Sequence, residues 1–177
     1  MPIVPDTKNW TWVLERPCAE CGFDASTIER VAIGRLLREN AAGWQVVLVQ
    51  PDVGRRRNDD MWSVLEYGCH VRDVYRICEF RVDKMLTEDD PTFQNWDQDE
   101  TAEDEGYADQ HPVRVAAELE DAAVRVADRF DELTDDEWVR SGIRSDGATF
   151  TVESFGRYVV HDVRHHDHDL RVLGFAV

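Results

Sequence analysis

The stretch Thr151-Val-Glu-Ser-Phe-Gly-Arg-Tyr158-Val-Val-His161-Asp-Val-Arg-His165-His166-Asp-His168-Asp-Leu-Arg-Val-Leu173-Gly174 decides how the chain is read. Its apolar residues Val152, Phe155, Val159, Val163 and Leu170 recur at the spacing of one helical face. Thr151 is a good N-terminal cap and Gly174 a good stop, so the spacing predicts one helix from Thr151 to about Leu173. Of the 6 histidines in the chain, four crowd between positions 161 and 168. At about 100° per residue, His161 and His165 lie roughly 40° apart on successive turns, so both imidazoles can reach one ion. His168 projects in nearly the same direction. The apolar stripe lies almost opposite, with His166 nearer to it, while Tyr158 and Val172 share the histidine side. That distribution predicts a helix covered on two sides.

Two histidines of one helix cannot complete a metal site, and the candidate for a third ligand lies in the segment Ser63 to Leu86. Ser63-Val-Leu-Glu66 has capping-box spacing, and Tyr67, His70, Val74, Ile77 and Cys78 recur three or four residues apart. His70 therefore sits on an inward stripe, where an unpaired imidazole costs free energy. A hydrogen-bonded core histidine and a metal ligand both satisfy that requirement. If His70, His161 and His165 share an ion, a coordination position remains for water or a substrate atom, the arrangement of a catalytic site. Neutral imidazole suits zinc, nickel or iron. Asp73, Asp162 and Asp169 lie within a turn of these ligands, either orienting imidazole N–H groups or standing as solvated acids. Tyr158, one turn before His161, is a candidate for a hydroxyl near the ion or a packing aromatic.

Around these two helices the rest of the chain arranges itself. Residues 1–25 form an irregular extension with two tryptophans and a Cys-x-x-Cys, too rich in Pro and Gly for a helix. Ser26-Thr-Ile-Glu29 again has capping-box spacing, and Ile33, Leu36, Leu37, Trp44, Val47 and Leu48 share a face, which predicts a first helix ending near Gln50-Pro51. Residues 87–111 are dominated by Asp and Glu and keep no period, so a long acidic loop is expected there, as a lid or a disordered connector. A third helix starts at Pro112 and carries Val115, Leu119, Ala122, Ala123, Val126, Phe130 and Leu133. A turn at Asp135–Trp138 and a loop at 141–149 lead into the last helix. Residues 26–177 thus read as an all-α four-helix bundle in a single domain.

Charge and cysteine usage narrow the function classes. With 20 Lys plus Arg against 37 Asp plus Glu, the formal charge of -17 opposes binding to nucleic acid or anionic membranes. The basic run Arg55-Arg56-Arg57 precedes Asp59 and Asp60 and reads as a solvated loop. The opening Met1-Pro-Ile-Val-Pro-Asp6 carries no export pattern and no apolar run is long enough for a membrane span, so a cytosolic protein with free thiols is expected. Cys18-x-x-Cys21 followed by Gly22 has the outline of half a zinc knuckle. A knuckle needs a second pair, and Cys69 with Cys78 lies within a helical pattern at unsuitable spacing, while a redox pair lacks the strand–helix context of such sites. A turn bearing two thiols is the default reading, and Cys69 beside His70 reads as a packed core thiol.

The segment Trp62-Ser-Val-Leu-Glu-Tyr-Gly-Cys-His70-Val-Arg-Asp73 resembles the second-helix segment of the DinB/YfiT-like superfamily, and Tyr158-Val-Val-His161-Asp-Val-Arg-His165-His166 resembles its last. The resemblance implies a four-helix bundle holding a divalent metal between a second-helix histidine and a last-helix H-x-x-x-H pair, here His70, His161 and His165. It further implies a metal-dependent thiol S-transferase, using mycothiol or bacillithiol to conjugate electrophiles or to isomerise maleylpyruvate. The isomerase carries a carboxylate at one member of the last-helix pair, whereas His161 and His165 are both imidazoles, which counts against isomerase activity. Glu15-Arg-Pro-Cys-Ala-Glu-Cys-Gly-Phe-Asp24 resembles an extension of actinobacterial relatives and favours mycothiol. The expected partners are a small-molecule thiol and an electrophile, with a homodimer suggested by relatives that pair. The competing expectation is a noncatalytic metal-binding or stress-response module on the same bundle.

Overall fold

The computed structural model describes residues 9–58 and 60–175; the opening residues read above for an export signal, and Asp59, lie outside them. Short 3-10 turns at Trp10–Leu14, Ala25–Thr27 and Arg30–Ala32 lead into α1 (Ile33–Val47) and α2 (Val64–Thr87). There follow β1 (Thr92–Phe93), α3 (Gln98–Asp104), a 3-10 turn at Tyr107–Asp109, and α4 (Pro112–Asp131). The chain then forms α5 (Asp135–Trp138), β2 (Ser141–Arg144), β3 (Thr149–Thr151) and α6 (Val152–Val172).

The four long helices make the bundle, and its principal contacts join α1 and α2 each to α4 and to α6. Leu37, Trp44, Tyr75, Met85, Leu119 and Phe155 fill the core. Burial of this apolar surface, at about 25 cal/mol per Å², is what makes the marginal helix propensities of these segments sufficient. Close approach of α1 to α4 depends on Gly34, where a Cβ would lie 2.8 Å from the Ala127 carbonyl oxygen and 2.3 Å from an Asp131 carboxylate oxygen. A buried polar tie crosses the bundle: the Tyr75 hydroxyl donates to Asn40 Oδ1 (2.6 Å), and Asn40 Nδ2 donates to Asp167 (2.8 Å) and the Val163 carbonyl (3.1 Å). It fixes the rotation of α6 against α1 and α2.

Helix ends follow the local chemistry. The Ser63–Glu66 capping box forms as expected, with Glu66 also paired to Arg56. Thr151 caps α6, and Gly174, at φ +82°, ends it. The first helix differs from expectation, beginning at Ile33 because the Ser26–Glu29 box does not form. Asp24, two residues upstream, accepts from both the backbone N–H and the hydroxyl of Ser26 (2.9 and 2.7 Å) and turns the chain into a 3-10 turn instead.

The acidic stretch 87–111 is not a bare loop. Asp97 caps α3 by accepting from Asp99 and Glu100 N–H groups, and Tyr107 is buried, its hydroxyl donating to Asp73 at 2.6 Å. β1 pairs parallel with β2, and β2 antiparallel with β3, in the order β1-β2-β3. Strands of two to four residues are too short for a period of two to register in sequence. Among the described residues no helix is long and apolar enough to cross a membrane.

Candidate metal centre

On α6 the inward run Val152, Phe155, Val159 continues at the same three- and four-residue intervals to Asp162 and His166. Two polar residues thus occupy positions that face α2. Opposite them stands His70, buried to 1% exposure. One ligand atom from each of His70, Asp162 and His166 lies within 4.8 Å of the others. Asp162 Oδ1 is 3.7 Å from His70 Nε2 and 3.6 Å from His166 Nε2. Those separations are too long for hydrogen bonds but close to the roughly 3.4 Å between ligands of a tetrahedral ion with bonds of about 2.1 Å.

The surroundings favour an ion at this point. Among the described residues both ring nitrogens of His70, and Asp162 Oδ1, are buried without a hydrogen-bond partner. Leaving such atoms unmet costs about 1–3 kcal/mol each, and a shared cation satisfies them together. His166 Nδ1 lies 2.9 Å from Asp169 Oδ2, so in the neutral ring the proton sits on Nδ1 and Nε2 is the nitrogen available to ligate an ion. Burial pushes the His70 pKa down, which keeps its imidazole neutral and able to ligate. Burial acts the same way on His166, but Asp169, Asp162 and Asp167 outweigh it and raise that pKa. Asp162 is held below the ordinary carboxylate range, its burial offset by His70 and His166.

Aromatic rings wall the cluster. Trp96, from the acidic segment, stacks on His70 with ring centroids 5.2 Å apart. Trp62 flanks the same ring at 5.1 Å, and Tyr67 meets His166 at 5.2 Å. Beside the cluster lies a cavity of about 800 Å³, lined by Asp162, His166, Tyr67, Tyr158, Arg81 and Arg144 among others. Arg81 and Arg144 are both buried; Arg81 donates to the Gln94 carbonyl and Arg144 is paired with Asp146. The Tyr158 hydroxyl lies 3.5 Å from Arg144, and its ring packs on Phe150 and Phe155. Tyr158 therefore lines the cavity chiefly as a packing aromatic, while Tyr67 is the tyrosine against a cluster imidazole.

The structure does not bring His70, His161 and His165 to one point. His161 and His165 belong to a second group, with Cys18 and Cys21. A one-residue step turns a helix by about 100°, so the 161/165 pair and the 162/166 pair look in different directions, only the latter toward α2. Of the three acids expected to support the site, Asp169 orients His166, Asp162 lies in the cluster itself, and Asp73 pairs with Arg72 and Arg76. The signal that identifies Asp162 and His166 was the continuation of the inward stripe through polar positions.

A helical bundle that gathers a histidine of one long helix and a carboxylate–histidine pair of another presents a candidate metal site between its helices. The family model of the DinB superfamily matches residues 38–170, and the chain belongs to that superfamily. Among solved structures it is similar to YfiT from Bacillus subtilis, described as "a probable metal-dependent hydrolase with an unusual four-helix bundle topology". That likeness covers 85% of this chain and 92% of the other at 24% identity, with a TM-score of 0.73, and bears on the fold. No curated protein matches the sequence.

Proposed function

We propose that this chain is a metal-dependent enzyme in which His70, Asp162 and His166 hold a divalent transition metal that serves a low-molecular-weight thiol, mycothiol by expectation, in S-transfer to an electrophile. The observation that carries the reading is the trio of ligand atoms within 4.8 Å, with His70 and Asp162 buried atoms lacking hydrogen-bond partners, beside a cavity of about 800 Å³. Bound there, a zinc, nickel or iron(II) ion supplies the Lewis acidity that keeps a ligated thiol deprotonated near neutral pH.

The protein's own groups do the rest. Asp169 fixes the His166 tautomer, so that Nε2 is presented without a proton. Trp62 and Trp96 cover His70 and exclude water from that side. Arg81 and Arg144 offer two buried guanidinium groups on the cavity wall, suited to an anionic group of the thiol or the electrophile. A cavity of this size exceeds what a water nucleophile needs and suits a bulky cosubstrate.

One observation favours a second reading on the same site. Asp162 supplies the carboxylate whose absence from the His161/His165 pair counted against thiol-dependent isomerisation, so that activity is the alternative.

The test is to purify the chain without a histidine tag, load it with zinc or nickel, and incubate it with mycothiol and a bimane electrophile. Conjugate is expected only from metal-loaded protein, with His70→Ala and His166→Ala inactive. Conjugation by metal-free protein would overturn the reading, and substrate hydrolysis without any thiol would redirect it to the hydrolase described for YfiT.

A further inference from the structure

The Cys-x-x-Cys of the N-terminal extension has its missing partners on α6. Sequence separation hides them, since Cys18 and His165 are 147 positions apart. In the fold, one ligand atom from each of Cys18, Cys21, His161 and His165 lies within 4.8 Å of the others. Cys18 Sγ is 3.8 Å from His165 Nδ1. Ligand atoms of a tetrahedral zinc ion with Zn–S of about 2.3 Å and Zn–N of about 2.0–2.1 Å are themselves roughly 3.4–3.8 Å apart. We infer that Cys18, Cys21, His161 and His165 form a second, structural zinc site, separate from the His70–Asp162–His166 cluster.

Several features of the group point the same way. His161 is 3% exposed and its Nε2 has no hydrogen-bond partner among the described residues. The thiols are free, with Cys18 buried and Cys21 half-buried. Their turn is prebuilt: the Cys18 N–H donates to the Phe23 carbonyl (2.8 Å), the Gly22 N–H donates to the Cys18 carbonyl (2.9 Å), and Gly22 sits at φ +75°. His165 turns Nδ1 toward Cys18 while its Nε2 lies 3.4 Å from the Glu20 carboxylate, the outer contact that fixes a ligating imidazole. Trp10 packs on both rings, with centroids 5.5 Å from His161 and 4.8 Å from His165. The spacing, two residues between the cysteines and three between the histidines, is that of a Cys₂His₂ site.

Two thiolates and two imidazoles select zinc over the harder divalent ions. Four protein ligands leave no position for substrate, so this ion is a staple that ties residues 18–21 to α6. Trp10 and Glu20 also line the cavity beside the His70 cluster, so the staple holds the extension over that cavity.

The experiment uses the full chain, expressed with zinc and purified without a tag. Zinc-edge X-ray absorption and metal analysis are expected to give sulfur scatterers and about two ions per chain. After exchange into cobalt(II), thiolate-to-cobalt charge-transfer absorption is expected in the wild type and in His70→Ala. The Cys18→Ser/Cys21→Ser double variant is expected to lose that band together with about half of the bound metal. Absence of sulfur scatterers and of the charge-transfer band from the wild type, or retention of the band in the double variant, would overturn the site. Because the wild-type spectra decide the matter, a variant that fails to fold does not rescue it. Sulfur-bound zinc at about one ion per chain, unchanged in His70→Ala, would support this site while removing the ion from the proposed catalytic cluster.

Discussion

Trp96 lies flat on His70, the two ring planes 7° apart. A residue of the acidic stretch between α2 and α4 thereby covers the deepest imidazole of the candidate site. Trp96→Ala opens His70 to water and should weaken metal retention, by roughly tenfold if the shielding matters as much as a hydrogen-bonded outer partner does. Competition with a chromophoric chelator measures this. Unchanged affinity would make the stacking incidental.

Asp169 acts on the site through His166. Replacing it with Asn removes the charged acceptor of the Nδ1 proton at 2.9 Å. Metal affinity should fall about 10–100-fold, with little change in the unfolding midpoint of the metal-free protein. Equal loss in both measurements would assign Asp169 a purely structural role.

Arg81 and Arg144 predict a substrate with a negative group. Arg81→Gln should raise KM about tenfold for an anionic substrate and leave metal content unchanged. Steady-state kinetics with charged and neutral electrophiles, at fixed thiol, distinguishes which substrate carries the anion. Equal KM values for variant and wild type on every pair would remove the guanidinium from substrate binding.

Acid stability should report on Asp73. Burial raises its pKa, but Arg72, Tyr107 and Arg76 outweigh it and hold the carboxyl below its ordinary value. The folded pKa is depressed, so this contribution is fully present above the unfolded value of about 3.9 and is lost as pH falls through the folded value. Asp73→Asn should flatten the decline of the unfolding midpoint below about pH 4. At neutral pH, Asp73→Ala leaves the buried Arg72 without its two-pronged carboxylate partner, 2.9 Å from two of its nitrogens, and should cost about 3 kcal/mol, the low end for a broken buried pair, since Glu118 and Gln110 still hold it.

Gly34 tests the packing of α1 on α4. Gly34→Ala brings a methyl within 2.8 Å of a backbone oxygen that cannot turn aside. A loss of about 1–3 kcal/mol is expected from denaturant unfolding, despite the better helix propensity of alanine.

Much of this was legible from residue order, and the misreadings have identifiable causes. The capping chemistry of Ser63 and Thr151 and the stripe of α4 are local, and the helices follow them. Ser26 offers the same cap chemistry, but its N–H and its hydroxyl both donate to Asp24, a competition decided by two residues of context. The histidines of α6 were easy to notice and hard to sort, because a helical wheel gives angles and not neighbours. The wheel sets His161 and His165 opposite the apolar stripe, but it does not show the extension that covers them, whose Cys18 and Phe23 carry the buried core over that side of α6. Cys18 and Cys21 carried half of a recognisable pattern whose other half is distant in the chain.

His161 and Asp162 are consecutive, yet they belong to different groups. One helix therefore positions ligand atoms of both candidate groups, like two keys cut on a single shaft. A substitution that turns α6 about its own axis would move ligand atoms of both groups at once, whereas one confined to a single side chain, such as His70→Ala on α2, leaves the other group in place.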